Sequence, residues 1–339
     1  MTDLPSSAPA PGTHRPAAPA RIDPDAPLQF VINAASGRHA LQATRSLIEA
    51  GLAAAGRSGD FHLPPPGALA ATAARAARSA RLRHTAVVAV GGDGTLNAVA
   101  QAAHAEACAM GVLPLGTFNY FARTHGIPTD LPAALQALLA AEPVAVQVGQ
   151  VNQRVFLVNA SLGMYPDLLQ DRETYKARFG RSRLVALGAA LATLLGRHRR
   201  LHLRIEVGGQ LREVSTTTLF VGNNRLQLEQ VGLPLAPALD QGRIAAVMLR
   251  PVGMLALIGL MARGAMGTLG EADTLDSFSF QRLVVRPRLG WTGRSIKVAF
   301  DGEVDRLRLP LVFRVADRPL VLLKMPGGPA ATGLAQGGS

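Results

Sequence analysis

Residues 85–97 read Thr-Ala-Val-Val-Ala-Val-Gly-Gly-Asp-Gly-Thr-Leu-Asn, and no other stretch constrains the fold as strongly. Residues 86–90 form a short, valine-rich apolar run, the mark of a strand buried on both faces. Gly91, Gly92 and Gly94 follow at once, and residues 96–109 carry a helical pattern. A strand that runs through glycines into a helix leaves unpaired backbone N–H groups at the positive end of the helix dipole. These suit a phosphate. Asp93 adds a carboxylate to this loop, which makes sense if a divalent cation or a polarised water lies between it and the phosphate. Taken alone, the same residues also suit an ordinary βα turn with an exposed Asp. The pattern is neither the P-loop nor the dinucleotide fingerprint.

A second loop, residues 111–123, again runs from a short apolar strand into a Gly-Thr turn, at Gly116 and Thr117. Gly91-Gly92-Asp93-Gly94-Thr95 followed by Pro114-Leu115-Gly116-Thr117-Phe118-Asn119 resembles the diacylglycerol kinase catalytic family. That family includes the soluble bacterial lipid kinases and the sphingosine and ceramide kinases, and it is distantly similar in fold to NAD kinases and phosphofructokinases. Asn33-Ala34-Ala35-Ser36-Gly37 and Phe300-Asp301-Gly302-Glu303 resemble further motifs of the family. Asn159-Ala160-Ser161-Leu162-Gly163 and Leu239-Asp240-Gln241-Gly242-Arg243 resemble other blocks. The matches cover nearly all of residues 28–315 in the family's order.

Composition bounds the rest. The chain's 339 residues suit two domains, and 48% apolar content supplies real cores. The net charge of +12 is carried by arginine, since lysine occurs only at Lys176, Lys297 and Lys324. A basic surface suits nucleic acid or anionic lipid. Aromatics are scarce and no nucleic-acid motif appears, so lipid is the reading and nucleic acid is not expected. The single Cys108 excludes an intramolecular disulfide and fits a reducing cytosol. It falls late in the 96–109 helix, where a buried apolar role is expected. No apolar run is long enough to span a bilayer, and the N-terminus lacks the apolar core of a signal peptide. The expected location is the cytoplasm, with peripheral attachment to a membrane.

In chain order, residues 1–27 hold seven prolines and read as a disordered leader. Strands at 28–33 and 60–63 alternate with helices at 40–56 and 68–83. Leu41, Ile48 and Leu52 share one helix face. The turn at 33–38 places Ser36, Gly37 and Arg38 either toward a phosphate or in a helix cap. This alternation predicts an α/β domain over 28–148 with a doubly wound parallel sheet and ligands at the strands' carboxyl ends.

From Val144 the period becomes two. Strands are predicted at 203–207, 216–221, 243–249, 278–285, 295–300, 307–315 and 319–325, giving a β-sandwich domain over 149–325 whose last segment has the option of returning to the first domain. Residues 183–200 and 251–268 read as apolar helices that either pack on the sandwich or touch an anionic bilayer together with Lys176, Arg178, Arg181, Arg197, Arg199 and Arg200. Edge strands could pair two copies into a homodimer. Residues 326–339 read as a loose tail.

The resemblance implies an ATP- and magnesium-dependent lipid kinase acting on diacylglycerol or a related lipid alcohol. Catalysis of this kind is mostly positioning and charge stabilisation. By the same match Asp301 takes the role of general base, and Glu303 contacts magnesium or orients the base. Asp93 positions magnesium through water, and Gly91, Gly92, Gly94 and Thr95 hold phosphates. Gly116, Thr117 and Asn119 contact the nucleotide, with Asn33, Ser36 and Gly37 beside it. Without the other motifs, Asp301-Gly302-Glu303 also fits a plain hairpin turn. Two departures matter. Tyr120 stands where the family commonly has Asp. Gln241 stands where many members have a second Asp, which puts in doubt a structural metal at Asp240. Two other readings stay open: a non-catalytic nucleotide- or lipid-binding protein, and a soluble-metabolite kinase related to NAD kinases.

Overall fold

A computed structural model describes residues 22–33, 38–163, 166, 200–287 and 295–325. The first sheet is built from β1 (Leu28–Ile32), β2 (Gly59–His62), β3 (Ala86–Gly91), β4 (Ala109–Pro114) and β5 (Glu142–Val146). Every residue of β1, β3 and β4 is buried. Both faces are covered because the β3 residues alternate between two cores. Val87 and Ala89 face Ala-rich α2 (Leu69–Leu82) and α3 (Asp93–Glu106), while Val88 and Val90 face α1 (Arg38–Ala54) and α5 (Leu131–Leu139), beyond short α4 (Tyr120–Thr124). Ile48 and Leu52 of α1 are buried there, with Leu41 packed alongside.

The β-rich half begins with β6 (Gly149–Val151), β7 (Arg154–Phe156), β8 (Asn159–Gly163), β9 (Leu201–Val207), β10 (Gln210–Thr216) and β11 (Thr218–Gly222). After α6 (Arg225–Gln230) and α7 (Ala236–Asp240) come β12 (Ile244–Leu249), α8 (Met254–Ala265), β13 (Leu275–Phe280), β14 (Arg282–Pro287), β15 (Ser295–Phe300), β16 (Glu303–Arg308) and β17 (Leu311–Val315). Two antiparallel sheets, ordered β10-β9-β14-β17-β6-β7 and β13-β12-β11-β8-β15-β16, share one core that includes Phe156, Phe280, Phe300 and Phe313.

The chain then returns to the first sheet. β18 (Leu320–Lys324) inserts between β4 and β5, giving the order β2-β1-β3-β4-β18-β5.

Four strand expectations need correction. The first sheet is mixed, because β5 runs antiparallel to β18. β5 can occupy that edge because β18 arrives from the other half, so no helical crossover is needed. The period-two pattern that begins at Val144 therefore starts inside the first sheet. The strands expected at 278–285 and 307–315 are each two strands, broken at Gln281 and at Leu309-Pro310, and in each case (β13 and β14, β16 and β17) the two belong to different sheets. Cys108 lies just past α3 rather than within it. It is buried, and burial pushes its thiol up to about 12. The helix expected at 183–200, the basic residues 176, 178, 181, 197 and 199, the turn residues 34–37, the leader's first 21 residues and the tail from 326 lie outside the described residues.

Candidate active site

The site is assembled at the carboxyl ends of β3 and β4. Gly92 caps α3 in extended backbone, and no side chain caps the helix, so its first amides lack a side-chain partner. The two loops touch backbone to backbone. A methyl group built on Gly116 would lie 3.0 Å from the Gly92 Cα, and Leu115 N–H donates to Gly91 O at 2.8 Å. The glycine at 116 is the one that allows that approach, since its methyl would also lie 2.8 Å from Asn119 Oδ1.

Asn119, in left-handed backbone at φ 50°, closes the second turn. Its Nδ2 donates to Gly116 O at 2.8 Å, and its Oδ1 accepts from Gly116 N at 3.1 Å. Its backbone N–H lies near enough to the Asp93 carboxyl to favour the charged form. Asn33 Nδ2 donates to the Thr95 hydroxyl at 3.1 Å, and Thr95 is buried. Thr95 therefore braces the loop from inside, whereas Thr117 lies exposed.

Asp93 is the uncompensated group of the loop. Its Oδ1 is buried without a hydrogen-bond partner, and burial raises its carboxyl above the ordinary value against the pull of the Asn119 amide. A buried oxygen of this kind fits a cation or a bound water. Glu303 supplies a second carboxylate from the β-rich half. A methyl group built on Gly94 would lie 2.8 Å from Glu303 Oε1, so the glycine makes room for that side chain. Burial raises Glu303, Arg154 lowers it and Asp305 raises it. Among the described residues no cluster of three or more His, Cys, Asp or Glu side chains is placed to hold a metal.

Asp301 sits in the two-residue turn between β15 and β16, where Phe300 pairs with Glu303. Asp301 at φ 48° and Gly302 at φ 90° give the turn that an Asp-Gly pair favours in a hairpin. The carboxylate points inward and is 7% exposed. Oδ2 accepts from Asn97 Nδ2 at 2.6 Å and Leu157 N at 2.7 Å. Oδ1 accepts from Val158 N at 2.8 Å and Asn159 N at 3.1 Å. A carboxylate has about four acceptor positions, and here donors fill them all. Burial pushes the group up to about 6, opposed by those same donors.

In this arrangement Asp301 presents no free lone pair to an acceptor hydroxyl, which the base role expected of it requires. The motif does bring its two acids to one place, but it turns Asp301 inward and Glu303 toward the loop.

Asp240 pairs with Arg225, whose Nη1 lies 2.5 Å from its Oδ2. Tyr120 stacks on exposed Phe118, with centroids 5.9 Å apart and planes at 6°. Sequence reasoning missed Asn97, whose side chain also donates to Val155 O at 2.9 Å. Its signal was a polar side chain between the apolar Leu96 and Ala98 at the start of an alanine-rich helix.

Residues 27–151 match the diacylglycerol kinase catalytic domain, and the chain is identified as carrying a domain of that family. Lipid kinase YegS of Escherichia coli K12 is 41% identical over 81 residues, and the probable YegS-like lipid kinase of Enterobacter sp. strain 638 is 46% identical over 81 residues. Each match covers 23% of this chain and only 27% of the relative's length. A solved diacylglycerol kinase from Bacillus anthracis str. Sterne superposes with a TM-score of 0.64 at 18% identity, over 88% of this chain and 97% of that one. A putative diacylglycerol kinase from the same strain gives 0.66 at 18% identity, over 89% and 98%. At such identity the likeness speaks for the fold: an α/β N-terminal part and a sheet-rich C-terminal part.

Proposed function

We propose that this chain transfers the terminal phosphate of ATP, with magnesium, to the hydroxyl of diacylglycerol or a related lipid alcohol. The observation that carries the reading is Glu303 seated over Gly94, so that a carboxylate from the β-rich half overhangs the same glycine loop that holds the unpartnered oxygen of Asp93. Magnesium, when bound, neutralises phosphate charge. Asp93 is the residue to hold it, since its buried oxygen lacks any other partner.

The backbone of Gly91, Gly92 and Gly94 and the uncapped start of α3 bind the phosphates. Asn119 shapes the second loop against them. Glu303 receives the hydroxyl proton, because no described residue donates a hydrogen bond to it and its raised carboxyl is a stronger base than an exposed one.

Among the described residues no helix is long and apolar enough to cross a membrane. The lipid is met at a surface, and the apolar helix α8 and the chain's positive charge are the features to meet it. The test is transfer from labelled ATP to a panel of lipid alcohols in mixed micelles, with and without magnesium. Magnesium-dependent labelling of a lipid is expected, and labelling of none would sink the reading.

A second reading is favoured by the filled acceptor positions of Asp301 and by Tyr120 stacked where the family commonly has an acid: a protein that binds nucleotide and lipid without turnover. Calorimetric binding of ATP with magnesium, combined with no transfer, would select it.

A further inference from the structure

Helix α3 begins at the glycine loop, and one face of it grips the β-rich half. Asn97, Gln101 and His104 fall at i, i+4 and i+7, so they share that face. Gln101 Oε1 accepts from Val155 N at 2.7 Å, and its Nε2 donates to Gln153 O at 3.3 Å. The His104 ring contacts Arg318 O through Nε2 at 2.9 Å, and Arg318 Nη2 donates back to His104 O. The Gln101 and His104 side chains therefore bind only backbone, in and just before β7 and in the segment before β18. Asn97 does more. One Nδ2 group donates both to Val155 O and to Asp301 Oδ2, joining the helix, strand β7 and the acidic hairpin in one buried node.

From this geometry we propose that Asn97 is a positioning residue, which through Asp301 fixes the 300–303 hairpin so that Glu303 lies over the glycine loop. The inference rests on the kinase reading for its effect on turnover, but its structural content does not. Asp301 ties the hairpin to three consecutive amides, of Leu157, Val158 and Asn159, which lie in and before β8. Asp301 N also donates to Asn159 O at 3.0 Å. Asn97 is the only side chain among its four carboxylate donors, and it comes from the half that carries the phosphate loop. Without it the Asp301 carboxylate loses its one donor from that half, and its bonds to the three amides loosen as the hairpin loses its register against α3. Gln101 is the natural control, because it clamps the same Val155 without touching Asp301.

The test has two arms on the full chain. In the first, backbone amide hydrogen exchange is followed without any ligand. Asn97→Ala is expected to speed exchange at Leu157, Val158 and Asn159 by about tenfold or more, while Gln101→Ala speeds only Val155. Unchanged exchange at the three amides in Asn97→Ala overturns the proposal. In the second arm, Asn97→Ala is expected to lower kcat by about 10²-fold with the KM for ATP nearly unchanged, since a misplacement of about 1 Å has that cost. Gln101→Ala, destabilised on the same strand, is expected to keep kcat.

Equal kcat losses in the two variants would reduce Asn97 to a purely structural residue and overturn the positioning role. Asn97→Ser, which keeps a shorter donor and covers the case in which the alanine variant fails to fold, should fall between wild type and alanine in both arms. If wild type transfers no phosphate, the kinase reading fails while the exchange arm still decides the contact.

Discussion

The glycine loop at 91–95 and the hairpin at 300–303 meet at the first turn of α3, yet they hold their acids in opposite ways. Asp301 is buried with every acceptor position filled, whereas Asp93 is half-buried with one buried oxygen left bare. A saturated carboxylate is a fastener, since it gains nothing from a ligand and its removal leaves four donors unpaired. A bare one is a deficit in the free protein that a cation would relieve. The difference teaches that an acid's place in a motif does not by itself assign its role. Under the proposed function Glu303, two residues from Asp301 and turned toward the loop, takes the chemistry that the motif suggests for its neighbour.

The largest expected effect is on the fastener. Asp301→Ala leaves three backbone amides and the Asn97 side chain without their acceptor, and should cost about 3 kcal/mol or more in urea unfolding. A loss under about 1 kcal/mol would mean that the four bonds are not formed in solution. Asp93→Asn should do the reverse. Removing an uncompensated buried charge leaves stability equal or higher, while phosphate transfer falls on the order of 10²-fold. Were Asp93→Asn to unfold the chain and Asp301→Ala to spare it, the two assignments would have to be exchanged.

The loop side of this comparison was legible in the sequence because its determinants are local. Gly91, Gly92 and Gly94 follow a valine strand directly, and Gly116 repeats the pattern one strand later. The hairpin turn was legible too, since Asp301-Gly302 follows an alternating run. What was not legible is the direction of the Asp301 side chain. Its partners lie 142–144 and 204 residues away, and nothing near residue 301 specifies them. The return of the last segment to the first domain was legible as an option, but its place between β4 and β5 was not, for the same reason of distance. Gln281, where one predicted strand becomes two in different sheets, was hidden for a different reason, because both halves keep the same alternation.

A smaller effect sharpens the comparison at Gly94. It lies inside α3, where alanine is favoured over glycine by about 0.5–1 kcal/mol. Yet a methyl group there would come within 2.8 Å of Glu303 Oε1, and the flexible carboxylate would have to swing away. Gly94→Ala should therefore raise the melting temperature slightly while reducing phosphate transfer by about tenfold. Retained activity together with raised stability would show that Glu303 does not act from this position.

The smallest effect is in the pH dependence of the fastener. Asp301 in the folded protein titrates at about 6, above the ordinary 3.8, so the folded state binds the proton more tightly than the unfolded one. By linkage, this group's contribution to stability grows as pH falls from about 6 toward 3.8 and is lost as pH rises through that window. The Asn97 donor favours the charged carboxylate and pulls the value down. Asn97→Ala should therefore raise the group's value further, and the protonated carboxyl, which no longer needs that donor, should make the variant's deficit against wild type shrink on acidification. Urea midpoints of both proteins between pH 7.5 and pH 5 measure this directly. A deficit that stays constant across that range would mean that Asp301 keeps its charge throughout, with the four donors outweighing the burial that opposes them.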